Sequence, residues 1–183
     1  MTLTEILASH HPTDEKERAD LAVMRDFATS LERPFARDQW PGHFTGSAVV
    51  VTPDGARVLL VLHAKLNRWL QPGGHADVAD GGSMETTALR EAREETALDV
   101  VLHPTAPRPL DVDVHVIPAR KTEPEHRHLD VRYLVVAKNP EALAHDPNES
   151  HGAQWLSWEE ALARADEAPL RRMLEKAMRT VLL

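Results

Sequence analysis

Apolar residues recur along this chain with two different periods. Leu21, Met24, Ala28 and Leu31 fall at helical spacing, and Thr13 followed by Asp14 and Glu15 supplies a cap and an acidic first turn. A helix is therefore expected to about Leu31, ended by Pro34. The stretch GSAVVVTPDGARVLLVLH hardly alternates, which predicts two strands buried on both faces and joined at Pro53-Asp54-Gly55. NRWLQPGG reads as a short strand stopped by Pro72 and two glycines. A helix follows, capped by the Ser83 hydroxyl, with Ala88, Leu89 and Ala92 on its core side. Further strands are expected near 98–102, 110–118, 128–137 and 153–157. Ser157 then caps a helix through WEEALARA, and a C-terminal helix in 167–183 places Leu170, Met173, Leu174, Met178 and Leu182 on one stripe. Strands and helices mixed without strict alternation predict an α+β layered sandwich.

Composition narrows the chemistry more than the fold. A chain of 183 residues that is 42% hydrophobic and 27% charged can bury a core as one domain. The absence of cysteine excludes disulfides, thiolate zinc sites and a cysteine nucleophile, and agrees with a reducing cytoplasm. A net charge of −8 argues against duplex nucleic acid as a partner and favours attraction of metal cations. No basic start leads into an apolar stretch, and the longest apolar runs, AVVV and VLLVL, are too short for a membrane span. A cytoplasmic protein is expected. The amphipathic N-terminal helix could pack on the core or pair with a second copy as a homodimer.

The negative charge is concentrated in GGHADVADGGSMETTALREAREETAL, residues 73–98. On a helix, Glu91, Glu94 and Glu95 share a face, with Arg90 beside Glu94. Their mutual repulsion is relieved if a hard divalent cation, which prefers oxygen ligands, binds there. An arbitrary E-x-x-E-E is more often a solvated acidic face; here a strand, Pro-Gly-Gly and an acidic loop lead into the helix, as a ligand site would need.

Residues 90–98 resemble the box of the Nudix hydrolases, G, five residues, E, seven residues, then R-E-U-x-E-E-x-G-U with U aliphatic. Trp69-Leu70-Gln71-Pro72-Gly73-Gly74 resembles the approach to that box, and Glu149-Ser150 with Gln154-Trp155-Leu156-Ser157 resembles the late strand of the family. The likeness covers roughly residues 44–165 and implies a Nudix-type α/β/α sandwich with a mixed sheet, extended by residues 1–40 and by the C-terminal helix. Two departures stand out. The interval from Gly74 to Arg90 is two residues longer than the pattern, leaving Asp80 as the nearest acidic residue to the position of the first glutamate. Ala97 replaces the glycine after the helix, at a cost of about 1 kcal/mol if the backbone turns left-handed there.

The resemblance implies hydrolysis of a nucleoside diphosphate linked to another group, or of a similar diphosphate, with Mg2+ or Mn2+. Glu94 and Glu95 would then be metal ligands, Glu91 a ligand or the base that takes the water proton, and Arg90 the group that positions the carboxylates. A carbonyl from Gly73 or Gly74 would complete one metal shell, and Glu149 is the candidate for a further acidic ligand. The residues themselves add a second constellation. His126, His128 and Asp130 fall on one face of a strand, where they could contact phosphates, hold another metal or simply face solvent. His75 and Asp77 are candidates to line the site, Arg120 and Lys121 could reach a phosphate, Trp69 could shape the site or pack, and His10-His11 read as surface. The competing reading is a Nudix-fold sensor that binds a nucleotide or metabolite without turnover, which would not need three clustered carboxylates. The isomerase branch of the superfamily uses a cysteine, which this chain lacks.

Overall fold

The computed structural model describes residues 1–120 and 122–182, and among these five helices enclose an eight-stranded mixed sheet. The strands are β1 (Gly42–Val51), β2 (Arg57–His63), β3 (Arg68–Leu70), β4 (Gly73–His75), β5 (Val100–Leu102), β6 (Asp111–Ile117), β7 (His126–Ala137) and β8 (Ser150–Ser157). The helices are α1 (Leu3–Ser9), α2 (Glu15–Ser30), α3 (Met84–Thr96), α4 (Trp158–Arg164) and α5 (Ala168–Leu182). None of them is long and apolar enough to cross a membrane.

β1 is buried throughout, its polar His43, Thr45 and Ser47 as well as its apolar AVVV end, and it pairs with β7 in parallel from Gly42–Arg127 to Val51–Val136. The Pro53-Asp54-Gly55 turn forms, with Gly55 at positive φ, but the two strands it joins pair only at Val51–Val58. Beyond that point β2 diverges to pair with β8 and β3, and β4 takes the free edge of β1 at Thr45–His75 and Ser47–Gly73. The short strand ends before Pro72 as expected, but the two glycines then open a strand of their own. The backbone can lie so close to β1 there because Gly73 has no side chain; a Cβ would stand 2.7 Å from that of Ser47.

Two apolar layers flank the sheet. On one face α1, α2 and α3 pack Leu7, Leu21, Met24, Ala88 and Ala92 against Phe44, Val50, Leu129 and Tyr133. On the other, α4 and α5 pack Ala161, Leu170, Met173 and Leu174 against Val49, Val51, Leu60 and Leu134. This is the α/β/α sandwich expected. α3 lies against β1 at Gly46, where a Cβ would meet the Met84 carbonyl oxygen at 2.7 Å and the Ala88 nitrogen at 2.9 Å.

Several local expectations need correction. α1 was not foreseen, although Thr2 and Glu5 form a reciprocal capping box there. The cap of α2 is Asp14, which accepts the Glu17 N–H, whereas Thr13 turns its own N–H to Glu17. His10 is buried rather than at the surface, with Nε2 2.8 Å from Glu17. Glu17 also meets Lys176, and the ion pairs continue through Asp111, Arg172, Arg132, Asp113 and Lys16, tying α2 and α5 to β6 and β7. The stripe on α5 ends early, because Leu182 is exposed.

Candidate active site

α3 starts where the sequence expects, with the Ser83 hydroxyl accepting the Thr86 N–H, and ends at Ala97 in the left-handed conformation at φ 56°. Alanine therefore adopts the turn that suits glycine. Met84, Ala88 and Ala92 seat the helix in the core, and that anchoring turns Glu91 and Glu95 toward β4. Glu95 is buried and accepts the Gly73 N–H at 2.8 Å. The Glu91 carboxylate lies against Gly74, where an added Cβ would stand 2.6 Å from its carboxyl carbon. The glycines thus bring the strand backbone directly onto two carboxylates. Glu94 differs: its side chain is 59% exposed and pairs with Arg90 at 2.8 Å.

Arg90 joins helix, loop and strand. Its guanidinium bonds Glu91 and Glu94, the His75 carbonyl at 2.8 Å, and Asp80 through Nε and Nη2. Asp80 is buried in the loop before α3 and also accepts from the Thr87 hydroxyl and the Asp77 N–H. A short 3-10 turn at Val78–Asp80 absorbs the longer loop while keeping a carboxylate on Arg90. The hydrogen bond to Asp80 leads the contacts that hold the Arg90 pKa above its usual value. Asp77, offered above as a site-lining group, instead caps that turn.

Glu149 approaches from the other side. The Ala144 and Asp146 N–H groups bond the carbonyls of Thr96 and Glu95, which draws this loop onto the end of α3. Glu95 and Glu149 then line a cavity of about 60 Å³ with Gly73, Gln71, Val61 and His63. Burial pushes the Glu95 carboxyl up to about 8, further raised by Glu149 and Glu91, and burial likewise raises Glu91. Such a group of carboxyls gathered in a recess carries a large electrostatic cost unless a cation or protons neutralise it.

The second constellation is larger than the sequence suggested. His43, His75, His115, His126 and His128 cluster on one face of the sheet, with ring centroids 4.8–5.4 Å apart between neighbours. Burial, reinforced by neighbouring imidazoles, pushes His75 down to about 4 and His128 to about 2. Asp130 is engaged elsewhere: it is buried, accepts from Thr45 and Ser47, and pairs with Arg132 at 2.8 Å, so it does not face an open surface. His43 escaped the sequence reading because the strand was begun at Gly46; the alternation His43, Thr45, Ser47 was the available signal. Trp69 packs on the α4–α5 core with Arg164 over its ring, Arg120 is exposed, and Lys121 lies outside the described residues.

With this geometry in hand, comparison with known proteins decides the family. The sequence profile of the NUDIX domain matches residues 42–177. The chain belongs to the Nudix hydrolase family. Solved structures agree with the fold. A Nudix-family hydrolase from Clostridium perfringens is 27% identical, with a TM-score of 0.54 over 76% of this chain and 95% of its own. An Ap4A hydrolase from C. elegans, solved as a binary complex, is 21% identical with a TM-score of 0.57 over 73% and 93%. The dihydroneopterin triphosphate pyrophosphohydrolase of E. coli is 16% identical with a TM-score of 0.55 over 73% and 92%. Among curated proteins no relative matches.

Proposed function

We propose that this Nudix protein hydrolyses a diphosphate bond in a small phosphorylated metabolite, such as a nucleoside diphosphate linked to another group, with Mg2+ or Mn2+ at the acidic helix. The observation that carries the reading is the convergence of Glu91, Glu95 and Glu149 on the glycine backbone of β4. The donor set suits a hard divalent ion, because Glu91, Glu95 and Glu149 offer carboxylate oxygens, with His63 and Gln71 also lining the recess beside Glu95 and Glu149. Glu95, Glu91 and Glu149 would hold it with a carbonyl of Gly73 or Gly74, while Glu94 extends the set toward solvent. When bound, such an ion supplies charge neutralisation for the phosphate oxygens and lowers the pKa of water.

The chain's own groups then divide the work. Arg90 holds Glu91 and Glu94 in register with the His75 carbonyl, so the carboxylates stay aimed while substrate enters. Glu91, half-buried and of raised pKa, is the candidate to take the proton from the attacking water as its oxygen bonds to phosphorus and the bridging oxygen leaves. The sensor alternative lacks a comparable use for buried carboxylates. The test is a hydrolysis panel of ADP-ribose, dinucleoside polyphosphates, NADH and deoxynucleoside triphosphates, run with Mg2+ and with chelator. At least one should turn over only with metal, and Glu95→Gln should slow it by at least ~100-fold. Nucleotide binding without turnover, unaffected by Glu95→Gln, would instead establish the sensor.

A further inference from the structure

We infer that His43, His75 and His128 form a second metal site, built for a borderline divalent transition ion such as zinc, on the face of the sheet opposite the acidic helix. The strand registers assemble it. His43 pairs with His128 across the β1–β7 ladder, and His128 pairs with His115 across β7–β6. One step along β1, Thr45 pairs with His75 of β4, so the His75 ring rises on the same side as the others. Gly46 and Gly74, at intervening positions, face α3 and Glu91. A single thickness of strand therefore separates the imidazoles from the carboxylates, and no side chain belongs to both groups.

The distances suit one ion. Two imidazole nitrogens, each about 2.0–2.1 Å from a tetrahedral zinc, stand about 3.3–3.4 Å apart. The Nε2 atoms of His75 and His128 are 3.2 Å apart, and one ring nitrogen from each of the three histidines lies within 4.8 Å of the others. Any wider spacing of the His43 nitrogen would have to close as the ion binds. A second observation is independent of spacing. His43 is fully buried, and neither of its ring nitrogens has a hydrogen-bond partner. Leaving both buried and unsatisfied is unfavourable, and the hydrogen bond between His75 and His128 does nothing to relieve it.

The surroundings match a ligand set of this kind. The Nδ1 of His126 meets the Pro124 carbonyl at 2.9 Å, and that of His115 meets Asp113 at 3.1 Å, which fixes the orientation of both rings beside the three ligands. His75 and His128 are part-exposed, which provides the way in, and water would take the fourth position. Imidazole selects zinc, cobalt or nickel over magnesium, so the two sites sort different ions. An ion here would clip β4 to β1 and β7, bracing from behind the strand that meets Glu91. The inference does not depend on the hydrolase reading, since its test reads binding.

Chelator-treated full-length protein, held in excess Mg2+ to occupy the carboxylates, is titrated with Co2+ and with Zn2+. Binding is followed by the visible absorption of tetrahedral cobalt, its displacement by zinc, and the thermal unfolding midpoint. One equivalent should bind and raise the midpoint. His75→Gln and His128→Gln should each weaken binding by at least ~100-fold and abolish the tetrahedral spectrum, while Glu95→Gln leaves both unchanged. Circular dichroism without metal establishes that each variant folds; should either fail, the other decides. Equal binding by the histidine variants, loss of the spectrum only in Glu95→Gln, or no saturable cobalt uptake would each overturn the site.

Discussion

Arg90 is the residue on which most of the acidic site turns. Its fork joins two carboxylates of α3, a buried aspartate and a strand carbonyl, which an ammonium on a flexible stem cannot do at once. Arg90→Lys should therefore lower kcat at least ~10-fold and cost about 1–3 kcal/mol in urea unfolding, although the charge is kept. An unchanged kcat would detach Arg90 from the catalytic alignment. Ala97 offers the opposite experiment. Its φ of 56° strains an L-residue, and Ala97→Gly should stabilise the protein by about 0.5–1 kcal/mol in the same assay, the gain in the turn outweighing the freer unfolded chain. Loss of stability on this change would show that the turn carries no strain.

The contact of α3 with β1 sets where the carboxylates stand. Gly46 is the point of closest approach, and neither neighbour there can yield, because both are backbone atoms of the helix. Gly46→Ala should push α3 outward and cost about 1–3 kcal/mol. The same shift should lower hydrolysis beyond what the stability loss explains, measured well below the unfolding midpoint, since Glu91 and Glu95 ride on the displaced helix. Full activity in a folded Gly46→Ala protein would mean that the helix position tolerates more slack than the packing implies. The C-terminal layer makes a contrasting case, as α4 and α5 meet the sheet through apolar side chains that can adjust.

Across the whole molecule, the buried ion pairs between α2, α5, β6 and β7 make stability depend on pH. Burial alone would raise Asp113, but the His115 hydrogen bond and the charges of Arg132 and Lys16 outweigh it and hold the carboxyl well below its ordinary range. Glu17 is lowered in the same way, its burial outweighed by hydrogen bonds from His10, Lys176 and the Thr13 N–H. Carboxylates with depressed folded pKa values contribute stability that is complete above their unfolded values, 3.8 for Asp113 and 4.5 for Glu17, and lost as pH falls below them. The network's own contribution should accordingly be constant from neutral pH to about 5 and be lost steeply below about 4, so the urea midpoint of the wild type should fall faster there than that of a variant lacking Asp113. Asp113→Asn should be less stable at neutral pH, because it weakens a buried pair of Arg132, and should show a shallower acid decline. A wild-type profile that stays flat through pH 3 would remove the network from the account.

Periodicity and local chemistry were enough to place α2 through its apolar spacing, α3 and α4 through their serine caps, and the β1–β2 turn through Pro-Asp-Gly. These signals act over a few residues, so they survive without knowledge of the fold. The order Arg90-Glu91…Glu94-Glu95 likewise put the carboxylates on one helix in advance. Which of them turn inward was decided by the core contacts of Ala88 and Ala92, and by a glycine strand that reads as a chain break when taken alone. The histidine cluster lay further out of reach. His43, His75 and His128 are separated by 31 residues and then 52 in the chain, and only the ladders of β1 with β4 and β7 bring them together. Register between strands distant in sequence is set by packing and pairing, and no local pattern encodes it.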